Sequence, residues 1–202
     1  MKAILQRVLS ASVTVDQEVV SSIGQGIVVL AAVAPGDTEK EAESLAAKVL
    51  KLKLWDDDAG GRWKRSVRDI NGEVLCVSQF TLLASTKKGS KPDFHGAMGG
   101  DEAKLLYQHF YRKVQEGYKA ERVKDGVFQA MMEVALVNDG PVTLELNAVP
   151  PLKDSKDQKK IKQVNPTPES SEDQVEFQTL LGSALIIMVA CGCSLFMWRR
   201  FH

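Results

Sequence analysis

Residues Gly26 to Val33 form an almost continuous apolar run, closed by Pro35-Gly36. The run is too short for a buried helix and has the length of a strand. Without polar alternation it fits a strand covered on both faces. A chain built around such a strand must supply a packing layer for each side. The flanking segments provide the material. Ala3 to Leu9 is apolar-rich. Ser12 to Val15 alternates, with Val13 and Val15 on one face. Asp16-Gln17-Glu18 can turn the chain into Val19 to Ile23.

Two amphipathic helices follow from the pattern. Thr38 with Glu41 fits a capping box, and the residues after it place Ala42, Leu45, Ala46 and Val49 on one stripe. Met98-Gly99-Gly100 breaks the chain before a second stripe of Ala103, Leu106, Tyr107, Phe110 and Val114. Glu73 to Thr81 reads as a strand. Met132 to Val137 and Val142 to Leu146 read as two late strands flanking Asn138-Asp139-Gly140-Pro141. Strands outnumber helices and are not regularly interleaved with them. That predicts an α+β domain with a mixed or largely antiparallel, barrel-like sheet and two main helices.

The sequence changes character after Asn147. Residues 150 to 176 are rich in Lys, Asp, Glu, Ser and Pro, and read as a disordered charged linker. Phe177 to Trp198 carries no charge, and at helical rise its 22 residues span roughly 33 Å, against about 30 Å for a bilayer core. Arg199 and Arg200 begin a short basic tip. The expected organisation is therefore a catalytic-sized domain at 1–149, a linker at 150–176, a transmembrane tail anchor at 177–198 and a tip at 199–202. A buried core helix is the competing reading for the apolar segment. The N-terminus, with Lys2 and Arg7 and no long apolar run, lacks a secretory signal. A cytoplasmic domain tethered to an intracellular membrane is the expectation.

Composition narrows the chemistry. Basic and acidic residues balance at 26 each, so no global field draws the chain to a polyanion. Three cysteines make no disulfide framework, and three histidines leave little for a metal site, so neither metal nor cofactor is expected. Asp56-Asp57-Asp58 lacks the spacing and closing Glu of a calcium loop and reads as a solvated turn. Arg62, Lys64, Arg65 and Arg68 form one basic group; Lys87, Lys88 and Lys91 form another. Each reads as a solvated face or, if folding joins them, as a holder of nucleic-acid phosphates. Ser78 and Thr81 are hydroxyls with no evident general base. Only His95 and His109 are candidates, so a Ser-His-Asp triad has little support. Cys76, in an apolar strand, reads as inert core.

Several segments together carry a resemblance. The chain opens Met-Lys-Ala-Ile-Leu-Gln-Arg-Val and continues Ala11-Ser12-Val13-Thr14-Val15. It has Val77-Ser78-Gln79-Phe80-Thr81-Leu82 and Lys88-Gly89-Ser90-Lys91-Pro92-Asp93-Phe94-His95. It closes with Leu136-Val137-Asn138-Asp139-Gly140-Pro141-Val142-Thr143-Leu144. From Met1 to about Leu146 it resembles the D-aminoacyl-tRNA deacylase family. The resemblance implies hydrolysis of the ester that joins a D-amino acid, or glycine, to the terminal adenosine of tRNA. It implies a homodimer with active sites at the interface and a cis Gly140-Pro141 pair inserted into the partner's site, where an L side chain would collide with it. Ser78, Gln79, Phe80 and Thr81 become the catalytic wall, with backbone N–H groups near Phe80 and Gln79 stabilising the oxyanion. Gly140, Pro141, Asn138, Thr143, Arg7, Phe128 and Met132 become substrate-binding residues. Arg7 orients the Gly-Pro loop, and Phe80 or Phe128 contacts the adenine. Lys87, Lys88 and Lys91 become tRNA phosphate contacts.

One position departs from the pattern. Gln129 stands where that family usually has glycine. It motivates an alternative reading, a catalytically impaired, tail-anchored tRNA-binding or adaptor protein.

Overall fold

The computed structural model describes residues 1–87 and 89–148. In chain order the main elements are β1 (Lys2–Val15), β2 (Glu18–Ile23), β3 (Gly26–Ala32), α1 (Glu39–Lys51), β4 (Lys53–Trp55), β5 (Arg65–Ser66), β6 (Glu73–Ser78), α2 (Gly100–Glu116), β7 (Val123–Asp125) and β8 (Glu133–Asn147). The main sheet runs β2-β1-β3-β6-β7, with β8 also paired to β1. Strand β1 is antiparallel to β2, β3 and β8, while β3, β6 and β7 are parallel. The mixed sheet with two helices is the architecture expected.

The apolar run becomes β3, and six of its seven residues are buried. On one side Ile27, Val29 and Ala31 meet Leu5, Cys76 and the helices. On the other, Val28 joins Val8, Val13, Leu75 and Val77 in a second cluster. The sheet therefore separates two cores, which is why β3 has no polar side. Gly26 starts β3 because the β6 backbone comes too close for anything larger. A Cβ there would lie 1.9 Å from the Glu73 carbonyl oxygen.

Helix α1 begins as its sequence indicates. The Thr38 hydroxyl accepts from Lys40 N–H, and Glu41 Oε2 accepts from Thr38 N–H at 2.7 Å, completing the capping box. These Thr38 hydrogen bonds hold the Glu41 carboxyl below its usual range. Ala42, Leu45, Ala46 and Val49 are buried as their spacing indicates. On α2, Leu106, Tyr107, Phe110 and Val114 are buried. Between the helices, His109 sits against Glu43 at 3.2 Å and Glu39 at 3.6 Å.

Three expectations change. The two apolar segments at the start are one continuous strand. The two late strands are likewise one strand, β8, interrupted by an irregularity at Asn138–Val142. Val134 and Leu136 pack in the second core, Val142 and Leu144 against the first, so the irregularity carries β8 from one core to the other. The expected strand through Thr81 ends at Ser78, and Phe80–Leu83 forms a short 3-10 turn.

The fold class needs one correction. No helix among the described residues is long and apolar enough to cross a membrane. Both helices are amphipathic, with most of their charged residues on the faces that do not pack; Glu41, spent on the Thr38 cap, is buried. The transmembrane helix, and with it the membrane partner and tail anchoring, is therefore unsupported. The linker at 150–176, the apolar segment at 177–198 and the tip at 199–202 lie outside the described residues.

Candidate active site

The parallel strands β3 and β6 end side by side, and a pocket of about 530 Å³ opens there. Ser78, Gln79, Phe80 and Thr81 form one wall. Their placement follows from the core: Val74 to Val77 are fully buried, so β6 delivers the next residues to a fixed point at its end. The Gln79 N–H donates to Ala31 O at 2.8 Å, tying the segment to β3. The chain then enters the 3-10 turn. Phe80 and Thr81 open it, so their N–H groups have no partner within the turn. This corrects one expectation, because the Gln79 N–H is spent on the sheet and is not an oxyanion donor. The Gln79 side-chain amide donates to the Thr81 hydroxyl. Phe80 is 57% exposed at the mouth and packs edge-on against Phe94, with centroids 5.1 Å apart.

The opposite wall comes from α2 and the loop before β8. Phe128 and Met132, both expected at the site, line it. Phe128 packs on Tyr107 with centroids 5.6 Å apart. The Met132 sulfur accepts from Val127 N–H at 3.3 Å, and the loop wraps around it. Below, the Tyr107 hydroxyl donates to Asp125. Burial pushes the Asp125 carboxyl above its usual range, partly offset by the Tyr107 hydrogen bond. Burial also pushes the Tyr107 phenol up, and raises the thiol of fully buried Cys76, consistent with inert core. Met98, Ala103 and Tyr107 were not anticipated as pocket residues. Ala103 and Tyr107 lie on the apolar stripe of α2, and helical periodicity does not separate a core position from a pocket-lining one.

No histidine serves the pocket hydroxyls among the described residues. His95 pairs with Asp93 on an exposed loop, and His109 lies between α1 and α2. The triad has no geometric basis.

The second motif is elsewhere. Residues 138–143 do not line this pocket; they form the irregularity of β8 beside Arg7 of β1. The Gly140-Pro141 peptide is cis, as the resemblance implies, and Gly140 has φ 116°. Arg7 holds the segment, with Nε 3.0 Å from an Asp139 carboxylate oxygen and 3.3 Å from the Asp139 carbonyl. Its Nη1 donates to Leu54 O. Asn138 Oδ1 accepts from Val142 N–H at 3.0 Å, and Asn138 Nδ2 donates to the Thr143 hydroxyl at 3.0 Å. Gln6 Nε2 donates to the same hydroxyl at 3.4 Å. Arg7, Asn138 and Thr143 thus brace the Gly-Pro pair, which projects exposed from the outer strand.

Arg68 lies near Gly117 at the far end of α2, whereas the start of α2 borders the pocket. Arg65 pairs with Asp58 at 2.6 Å. Lys87 and Lys91 are exposed on the loop bridged by Ser85 and Asp93, whose continuation brings Phe94 to Phe80. Lys88 lies outside the described residues. The three aspartates form a turn: Asp57 accepts from Gly61 N–H at 2.7 Å, and Asp56 accepts from Trp63 N–H at 3.1 Å.

The chain is similar to known proteins along most of its length. The family model for D-Tyr-tRNA(Tyr) deacylase matches residues 4–147. A Yarrowia lipolytica protein named D-aminoacyl-tRNA deacylase is 55% identical over 147 residues, covering 72% of this chain and 96% of its own. Human D-aminoacyl-tRNA deacylase 1 is 44% identical over 172 residues, covering 85% of this chain and 82% of its own. The solved structure titled c-Myc DNA Unwinding Element Binding Protein superposes with a TM-score of 0.71 at 47% identity, covering 74% of this chain and all of that one. With a family match across most of its length and such relatives, this chain belongs to the D-Tyr-tRNA(Tyr) deacylase family.

Proposed function

We infer that this chain is a D-aminoacyl-tRNA deacylase. It hydrolyses the ester between a D-amino acid and the terminal ribose of tRNA, releasing the free amino acid and tRNA. The observation that carries this is the pocket walled by Ser78-Gln79-Phe80-Thr81, in a chain whose high-identity relatives are named for the activity.

The mechanism that suits these residues needs no protein nucleophile. Thr81 already accepts a hydrogen bond from Gln79 and has no histidine beside it to remove its proton. Water adds to the ester carbonyl carbon, assisted by the 2′-hydroxyl of the substrate ribose. The carbonyl oxygen takes up the developing charge beside the Phe80 and Thr81 N–H groups, which are oriented before the reaction begins. The bond to the ribose oxygen then breaks, and that oxygen leaves with a proton. An aminoacyl ester is labile, so positioning supplies much of the acceleration.

Chirality is read by exclusion. The Gly140-Pro141 pair of a second copy covers the pocket and presents backbone carbonyls to the substrate amino group. An L side chain meets that backbone; a D side chain or the hydrogen of glycine does not. Gly140 suits this role because it lacks a Cβ, and the Arg7 brace keeps the loop from yielding. The homodimer is thus part of the site. Lys87, Lys88 and Lys91 contact phosphates of the acceptor end without reading bases, which fits an enzyme serving many tRNAs. Such a substrate fits a cytoplasmic catalytic domain. The impaired-adaptor reading has less support, since Gln129 leaves the pocket formed.

The test is hydrolysis of D-Tyr-tRNA and L-Tyr-tRNA by the full-length chain. Rapid loss of the D ester with the L ester spared is expected. A folded protein that leaves both intact would contradict the assignment.

A further inference from the structure

Gln129 is placed where a side chain is not expected. Its φ is 64°, the left-handed region that favours glycine, yet the residue carries a long polar side chain. That side chain leaves the loop before β8 and reaches the start of α2. A Cβ added to Gly100 would lie 2.7 Å from Gln129 Nε2. Gly100 therefore leaves the space that the amide occupies, and Gln129 lines the mouth of the pocket.

The amide is unspent. Among the described residues no hydrogen bond engages it, whereas the Tyr107 and Gln79 side chains that share the pocket are committed. The Tyr107 hydroxyl is bonded to Asp125, and Gln79 is bonded to Thr81. The wall on this side is otherwise apolar and aromatic, formed by Phe128, Met132, Met98 and Ala103. An apolar slot with one free amide at its rim suits a flat heteroaromatic ring with polar groups along one edge. A glutamine amide presents a donor and an acceptor side by side, matching the amino group and adjacent ring nitrogen of adenine.

We propose that Gln129 is a specificity-determining residue that holds the terminal adenine of the substrate by its edge. This rests on the deacylase reading and adds to it a pair of hydrogen bonds that glycine at this position cannot make.

The test uses the full-length chain and inhibition of D-Tyr-tRNA hydrolysis by two nucleosides. Adenosine carries the 6-amino group; purine riboside has hydrogen in its place. The wild type should favour adenosine about tenfold, within the usual value of a bidentate base contact. Gln129→Gly should bring the two close to parity and raise KM for D-Tyr-tRNA several-fold with kcat held. Glycine suits a φ of 64°, so this variant preserves the loop. Gln129→Glu, which retains only the acceptor for the amino group, should fall between. Equal inhibition by the two nucleosides in the wild type, whether both bind or neither does, overturns the proposal. So does a preference that survives in Gln129→Gly. In either case a wild type that still hydrolyses D-Tyr-tRNA leaves the deacylase reading standing, and one that does not removes that reading as well.

Discussion

The two motifs of this chain are held in place by different means. Ser78–Thr81 gets its position from burial. It follows a fully buried parallel strand and is fixed by one backbone bond to β3. Residues 138–143 lie on a strand that, among the described residues, pairs with β1 alone, and all six are exposed or half-buried. Side chains fix that segment: Arg7 on Asp139, and Asn138 across to Val142 and Thr143. A wall built on core packing tolerates removal of a single polar group. A projection braced by a few side chains does not. The filter should therefore be easier to break than the pocket.

Gly140→Ala should have the largest effect. The added Cβ would meet Val142 Cγ2 at 2.9 Å and Arg7 Nη2 at 3.0 Å, at a φ of 116° that resists a side chain. Discrimination between D- and L-Tyr-tRNA should fall by ~100-fold, an expectation scaled to a few kcal/mol of lost exclusion, measured as the ratio of kcat/KM values. Arg7→Ala comes next. It leaves a half-buried Asp139 carboxylate without its partner and should cost about 1–2 kcal/mol of stability by denaturant unfolding. Asn138→Ala removes two hydrogen bonds of ordinary strength, for about 1–2 kcal/mol, and should lower discrimination less than Gly140→Ala. If Asn138→Ala proved as damaging as Gly140→Ala, the bracing would matter more than the shape of the pair.

Much of this was legible in the residues themselves, for identifiable reasons. The buried strand, the Thr38 cap and both helical stripes are local signals, and they appear where the residues place them. The continuity of β8 was not legible. Asn-Asp-Gly-Pro has the composition of a turn between strands, and only pairing along β1 shows it to be an irregularity inside one strand. The spent Gln79 N–H was equally hidden, because a backbone bond to β3 leaves no trace in side-chain identity. The positive φ at Gln129 lies between these cases: glutamine itself gives no hint of it, and only the glycine usual at this position in the family points to it.

Two smaller effects sharpen the contrast. Replacing Lys87 and Lys91 together should lower the salt dependence of tRNA binding by about 2 in slope, one for each phosphate no longer neutralised, with discrimination unchanged. Asp125→Asn probes the pocket floor. Burial raises the native Asp125 carboxyl, so stability linked to this group is full below its unfolded-state value and is lost as pH rises through the raised native value. Asp125→Asn should therefore gain stability relative to the wild type as pH climbs from about 4 toward neutrality, the ordinary carboxylate value marking the start of that window. A constant difference across that range would mean that Asp125 titrates normally.

The central claim is that each site needs the pocket of one copy and the Gly-Pro pair of another. Mixed dimers test it most directly. Gly140→Ala carries an intact pocket wall; Phe80→Pro removes one of the two oxyanion N–H donors and carries an intact Gly-Pro segment. Each homodimer should be impaired. Co-expressed, they should form dimers in which one of two sites combines wild-type Phe80 with wild-type Gly140. Recovery of D-selective deacylation to about a quarter of the wild-type rate, the share expected for random pairing of symmetric protomers, is the predicted result. Activity no higher than the average of the two homodimers would show that the site is complete within one chain and would contradict the account.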